Sequence, residues 1–495
     1  MSYRLSATTI HALPADIVVP RYQREQLSAG ILHIGVGNFH RSHQAVYLDD
    51  LFNSGEGYDW ALIGAGVREA DEVMRQKLLA QDLYTTIVEQ EADKSDVRIT
   101  GSMIDYIKPG DNGALIARLA DPAIRIVSLT ITEGGYYINS ATGKFDPAHE
   151  DIAYDAKHPD APKTVFGLLL AGLVRRRTAG IAPFTVMSCD NIPHNGGVTR
   201  DSLMGLAALG TTGMDIWLKD NVAFPNGMVD RITPATTDRE RVVLRDEFGI
   251  DDNWPVFCES FKQWVLEDNF PAGRPPLENV GVQFVSDVSP FELMKIRILN
   301  GGHAVIAYPA ALMDIHFVHE AMQNELVKGF LDKIENDEII PCVPPVPDTD
   351  VDDYYKLIVR RFSNPKIADT ISRLCLDGSN RQPKFIIPSI VDRLKVGKSV
   401  AGLALECALW CRYCYGETDS GKPIAPNDPS QWDRLQSVAK AAKDKPSEWL
   451  AMRDIYGDTA KAEAFQIAFA NALDALWTNG TRETLTRYIA GRDLA

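Results

Sequence analysis

Lys295, Asn300 and His303 stand in the spacing Lys-x4-Asn-x2-His, within the run from Ser289 to His303. A lysine that gives up its proton can take one from an alcohol. An asparagine amide can donate to the oxyanion that forms, and a histidine can orient the group being oxidised. Lysine works as a base only if burial or nearby positive charge brings its pKa towards neutrality. Met294, Ile296, Ile298 and Leu299 make burial the expectation. Asn191 offers a second amide, and Gly35-Val36-Gly37 upstream is a turn of the nucleotide-binding type. The combination points to hydride transfer from an alcohol without a metal.

The same residues also have plainer uses. Ser289-Pro290-Phe291-Glu292 fits a capping box, with Ser289 as N-cap and Glu292 at the third position. Lys295 also reads as a solvated surface lysine and His303 as a satisfied core histidine. At about 100° per residue, Glu292, Lys295 and His303 fall within roughly 80° of one another, with Asn300 about 60° further round. Gly301-Gly302 weakens a helix there and lets a ligand come close to the backbone.

The elements that must position these groups alternate over the first half of the chain. Strands are expected at 30–37, 60–67, 84–89, 97–100, 125–132 and 184–191, and helices at 39–53, 68–81 and 163–178. Such alternation implies an α/β fold of Rossmann type, with an open, mainly parallel sheet. Ligands in such sheets bind beyond the carboxyl ends of the strands. The polar or glycine-rich tips at 35–43, 132–136 and 189–195 fall there. From about 289 long helical patterns dominate, beginning with 290–313. The expectation is a dinucleotide-binding domain over 1–285 and a mostly α-helical substrate and catalytic domain over 286–495.

Gly35-x-Gly37 lets backbone amides approach a pyrophosphate, which a following helix N-terminus favours. The third glycine of the usual fingerprint is replaced by His40, so a ligand-free strand–helix turn is an equal reading of the motif alone. Arg41, after Phe39 and His40, is a candidate partner for a phosphate oxygen. Glu69 and Asp71 follow the second strand, where an acid binds the adenosine ribose. They favour NAD, although Arg68 beside them suits a 2′-phosphate.

The chain has 495 residues and a formal charge of −16, which argues against nucleic acid or anionic membrane as the main partner. No apolar run reaches the roughly 18 to 20 residues a membrane span needs. The first residues lack an apolar signal core. Seven thinly spread cysteines suit reduced thiols, so a cytoplasmic enzyme is expected. Cys407-x3-Cys411-x2-Cys414 has iron–sulfur spacing but lies in an apolar helical stretch, and buried structural thiols are the reading preferred. No histidine pair has metal-ligand spacing such as His-x3-His, so no metal is expected.

Five motifs occur in order: His33 to His43, Ser128 to Tyr136, Val186 to Asn191, Asn226 to Pro234, and Lys295-x4-Asn300-x2-His303. Together they resemble the polyol-specific long-chain dehydrogenase/reductase family over nearly the whole chain, most closely its mannitol 2-dehydrogenase branch. The resemblance implies zinc-independent, NAD-dependent oxidation of a polyol such as D-mannitol at C2 to a ketose such as D-fructose. It implies Lys295 as catalytic base, Asn191 and Asn300 as oxyanion donors and Glu292 as a proton-relay acid. Asp230, His303 and Arg373 match substrate-contacting positions, and a monomer is implied. Gly35, Gly37, Phe39, Arg41, Glu69, Asp71 and Glu133 are the expected cofactor-side residues. Two positions depart from the pattern: Asn38 replaces a glycine, and Arg381 stands where a lysine is usual. Arg381 is a forked donor, which leaves room for a sugar acid and for fructuronate or tagaturonate reduction. A non-catalytic dinucleotide-binding sensor is the alternative from a different class. It would have no need of a base and two oxyanion donors.

Overall fold

Five short segments pair side by side as one parallel sheet. They are β1 (Ala29–Ile34), β2 (Ala61–Ala65), β3 (Met103–Ile107), β4 (Ile126–Leu129) and β5 (Thr185–Ser188), in the order β5-β4-β1-β2-β3. The computed structural model describes residues 2–139, 142–210 and 213–494. It divides into two units, Met1–Ser289 and Pro290–Ala495. The sheet belongs to the first, and both its faces are covered. Leu32, Ile34, Val127, Leu129 and Val186 enter one apolar cluster. Ile31, Leu62, Ile126 and Met187 enter another. That alternation is the period-2 geometry of strands. It also explains their almost unbroken apolar sequence, since a parallel sheet is buried on both sides.

The chain leaves β1 towards β2 on one side, and later places β4 on the other. Strand order therefore reverses between β1 and β4, the place where such sheets open a ligand crevice. β3 was not expected from the sequence. The helix expected over 39–53 is two helices, α1 (Asn38–Ser42) and α2 (Gln44–Asn53), broken at His43 with φ −117° and ψ −87°. The helix expected at 163–178 is α3 (Val165–Ala179). The Thr164 side chain accepts from the Gly167 N–H at its start, and Gly180 ends it with φ +68°.

The second unit is helical. It opens with α4 (Ser289–Met294), a wide π-helical turn (Lys295–Asn300) and α5 (Gly301–Leu312). The helix expected over 290–313 is therefore present from Ser289 to Leu312, with its winding widened over Lys295–Asn300. α4 also starts at Ser289, one residue before its expected first position, and Asp287 Oδ1 accepts from the Ser289 N–H at 2.9 Å. Deeper in the unit, α6 (Ala401–Cys414) packs along α7 (Glu463–Ile489). A Cβ on Gly402 would lie 2.1 Å from Tyr488 Oη, so a larger residue at this crossing would have to displace the Tyr488 ring. Cys407, Cys411 and Cys414 are buried on α6 with their thiols pushed well above the ordinary range by burial. Among the described residues no helix is long and apolar enough to cross a membrane.

Glu335 is fully buried, and neither carboxyl oxygen has a hydrogen-bond partner among the described residues. Burial raises its pKa well above the usual carboxylate range. Folding therefore takes up a proton here, and stability falls as pH rises from about 4.3, the unfolded value, towards the folded one. Glu335→Gln removes that loss. The variant is expected to be more stable than the parent at pH 8, by on the order of 1–3 kcal/mol of unfolding free energy measured by denaturant titration. The advantage should shrink towards pH 5, and a constant difference across that range would contradict the assignment.

Candidate active site

At the tip of β1, Gly35 has φ +99°, and a Cβ there would fall 2.1 Å from Thr130 O. Only glycine passes at this point. The Gly35 N–H donates to Ala65 O at 2.9 Å, which closes the turn against β2. A Cβ on Gly37 would meet nothing nearer than Gly35 O at 3.8 Å, so its surroundings are open. Among the described residues, the Val36 and Gly37 N–H groups have no acceptor in the protein. Successive free amides in a glycine turn make an anion cradle. The five residues of α1 are too few for a helix terminus to add much.

Asn38, the departure from the family pattern, ties this turn down. Its Nδ2 donates to Thr236 Oγ1 at 3.0 Å and Pro234 O at 3.2 Å, and its Oδ1 accepts from Arg41. Arg41 is corrected from phosphate ligand to internal strut. It is 1% exposed and donates to Trp254 O and Asn38 Oδ1. Phe39 stacks on His43 with centroids 4.8 Å apart. At the tip of β2 the two acids divide. Asp71 Oδ2 accepts from the Val67 and Arg68 N–H groups, and so closes the turn that precedes its own helix. Glu69 is exposed. Glu133, also exposed, begins a 3₁₀ turn after Thr132, which has φ +63°.

Asn191 follows β5 directly, and its neighbour Asp190 fixes the backbone there. The Asp190 carboxylate accepts from the Ile131 and Thr132 N–H groups, each at 2.9 Å, and from Tyr136 Oη at 2.6 Å. These bonds tie the tip of β4 to that of β5. Burial raises the Asp190 pKa. Asn195 then reaches the strand Gly227–Asp230: its Nδ2 donates to Gly227 O and its Oδ1 accepts from the Gly227 N–H. Asp230, 5% exposed, ends that strand. Beside it Arg231 pairs with Glu89 at 2.6 Å. Asp190, Tyr136 and Asn195 lie inside or next to the sequence motifs, yet nothing in their types announced these roles.

In the second unit, Glu292 is 6% and Lys295 5% exposed, so Lys295 is not a solvated surface lysine. The wide turn changes the reckoning made for a regular helix. Residues five apart lie about 140° apart on an α-helix. In a turn closed by i→i+5 bonds the winding is looser, and residue 300 instead comes round to within roughly 50° of residue 295. Lys295 and Asn300, its first and last residues, share a side that regular winding denies them.

His303 stacks on Phe362 with centroids 4.2 Å apart. Burial lowers its pKa well below the ordinary value, and Arg373, Arg361 and Arg381 push the same way, so the ring stays neutral. Arg373 is paired with Asp369, its Nε 2.5 Å from Oδ1. Arg381 Nη1 donates to Leu374 O at 2.8 Å. Arg361 joins this group unforeseen; its only sequence signal was a place beside an aromatic near a helix end. Among the described residues no three or more His, Cys, Asp or Glu side chains are placed to hold a metal ion.

A doubly wound sheet with a glycine-turn amide cradle, and a helical unit with a buried lysine, an amide and a neutral imidazole, define a two-domain dehydrogenase. The comparisons narrow the class. Residues 29–279 match the mannitol dehydrogenase Rossmann domain and 287–477 the mannitol dehydrogenase C-terminal domain, and the chain belongs to the mannitol dehydrogenase family. It is 58% identical to a mannitol 2-dehydrogenase of Cereibacter sphaeroides over 96% of this chain and 99% of that one. It is 42% identical to one of Neosartorya fischeri over 96% of each. Among solved structures it is similar to Pseudomonas fluorescens mannitol 2-dehydrogenase in ternary complex with NAD and D-mannitol, with 44% identity and a TM-score of 0.88 over 99% of this chain and 100% of that one. A D-sorbitol dehydrogenase in substrate-free form gives 34% identity and a TM-score of 0.91 over 98% and 100%.

Proposed function

We propose that the chain oxidises D-mannitol at C2 to D-fructose with NAD, and catalyses the reverse, without zinc and with Lys295 as general base. The observation that carries this reading is the wide turn, which brings Lys295 and Asn300 towards one side of a buried helix. The relatives named above support it. Lys295 takes the C2 hydroxyl proton, and Glu292, three residues before it, passes that proton outward. The amides of Asn191 and Asn300 donate to the oxygen as it gains negative charge and cost no net charge themselves. Neutral His303, Asp230, Arg373 and Arg381 hold the remaining hydroxyls. Bound NAD supplies the acceptor for the hydrogen leaving C2 with its electron pair.

Gly35 and Gly37 fit the cofactor, because Gly35 permits the tight turn that leaves the Val36 and Gly37 amides without a protein acceptor among the described residues, with open space beside Gly37. Phe39 and Glu133 border that end. Glu69 is the acid left for the adenosine ribose once Asp71 is spent on the turn before its helix. NAD is therefore expected to exceed NADP in kcat/KM, and a strong NADP preference would overturn this choice.

The test is the rise of NADH absorbance on mixing protein, NAD and mannitol at alkaline pH, run against arabinitol, sorbitol, fructose and fructuronate. No turnover with any of them favours a sensor. Turnover is expected to survive a chelator, and loss restored by added zinc contradicts the metal-free mechanism. Fructuronate or tagaturonate reduction is a second reading, favoured by the three arginines near His303. Asp369 already pairs with Arg373, so the neutral polyol stands first.

A further inference from the structure

At the reversal of strand order, four side chains form a line that ends on the Gly35 carbonyl. Ser128 Oγ lies 2.9 Å from the Gln44 amide and 2.8 Å from His33 Nδ1. His33 Nε2 lies 2.9 Å from Thr130 Oγ1, which lies 2.6 Å from Gly35 O. His33, Ser128 and Gln44 are buried, so bulk water does not settle their protons.

Proton counting leaves one arrangement. A carbonyl only accepts, so the Thr130 hydroxyl hydrogen points at Gly35 O. Thr130 Oγ1 must then accept from His33 Nε2–H. Burial keeps the ring neutral, so Nδ1 is bare and accepts from the Ser128 hydroxyl. Ser128 has no hydrogen left for Gln44, and the amide must present its nitrogen there, since hydrogen bonding decides which end of a glutamine amide faces where. That assignment also gives a partner to the Gln44 nitrogen, which with the amide turned the other way has none. His40 lies flat on His33 with centroids 3.5 Å apart and planes 8° apart, and holds the ring in place.

We propose that His33 and Thr130 are positioning residues for the dinucleotide, holding the Gly35–Val36 peptide in one orientation through a single directed chain of protons that starts at Gln44. In a trans peptide the C=O and N–H point in opposite directions. Fixing Gly35 O against Thr130 therefore aims the Val36 N–H, free of any protein acceptor, away from the sheet tip and towards an anion. Thr130 and His33 touch no cofactor atom in this account and act through the turn. The inference rests on the reading that NAD binds at this turn.

Two measurements test it, neither needing turnover. The first is NAD affinity, by titration of protein fluorescence, in Thr130→Val and Thr130→Ser. Valine keeps the shape and loses the hydroxyl, and is expected to weaken NAD binding about tenfold; serine should restore it to within about twofold. The polyol KM and kcat at saturating NAD should change less than about twofold. Wild-type NAD affinity in Thr130→Val overturns the proposal, whatever its melting temperature, as does equal weakening by valine and serine. The second is nitrogen NMR of histidine-labelled wild-type protein, which does not depend on any variant folding. It should show His33 as the Nε2–H tautomer with no titration between pH 5 and 9. An Nδ1–H tautomer, or titration in that window, overturns it. Failure of the polyol reading would appear instead as NAD binding with no polyol oxidised.

Discussion

Lys295→Ala lowers kcat by about 10² or more, the scale of a general base, and leaves NAD affinity within about twofold. The Lys295 side chain is 5% exposed in a helix flanked by Met294, Ile298 and Leu299, all buried. Burying an ammonium costs several kcal/mol unless it is compensated. A lysine kept there only for packing would be a poor choice, because methionine fills the same space at lower cost. Lys295→Met therefore separates the roles. It keeps the volume and removes the amine, so it should match alanine in lost turnover. NAD affinity should hold because the cradle at Gly35–Gly37 is built from backbone amides and not from Lys295. Collapsed cofactor affinity with surviving turnover would invert this assignment.

Legibility followed burial. β1, β2, β4 and β5 were readable because a parallel sheet covered on both faces demands unbroken apolar, β-branched runs, and each ended in a turn residue. β3 was not: Met103-Ile104-Asp105-Tyr106-Ile107 is an edge strand with polar and half-exposed positions and a register shift against β2. The strands Gly227–Asp230 and Gln263–Glu267 are short and find each other only through tertiary pairing. The wide turn could not be foreseen because no residue type marks an i→i+5 bond, so a regular helix was the natural expectation and it misplaced Asn300. Arg41 misled for a related reason. An arginine beside a glycine turn has the right charge for phosphate, and only the fold shows that its guanidinium goes to Trp254 O. The residues around Asn191 were readable as a motif but not as a device. Asp190 works through two backbone amides 58 and 59 residues away in sequence, and local pattern carries no trace of such bonds.

The second large effect is expected at Asn300. Asn300→Ala should lower kcat by about 10²–10³, the loss found when one preorganised oxyanion donor is removed. Its Oδ1 is buried without a hydrogen-bond partner among the described residues, which leaves the amide poorly satisfied on its acceptor side. Structural asparagines seldom accept that cost; one kept for its N–H donors can. Asn300→Asp is the sharper variant. It preserves shape, replaces the donor with an acceptor, and sets negative charge where the substrate oxygen must itself become negative. Its kcat should fall below that of Asn300→Ala, with KM for mannitol changed far less than kcat, because the missing interaction matters most as charge develops. The wide turn gives this comparison its force. If Asn300 and Lys295 act on one oxygen from one side of the helix, removing both should cost little more than removing Lys295 alone, since residues acting as a unit are not additive. Fully additive losses, or an aspartate variant faster than alanine, would place Asn300 outside the oxyanion site.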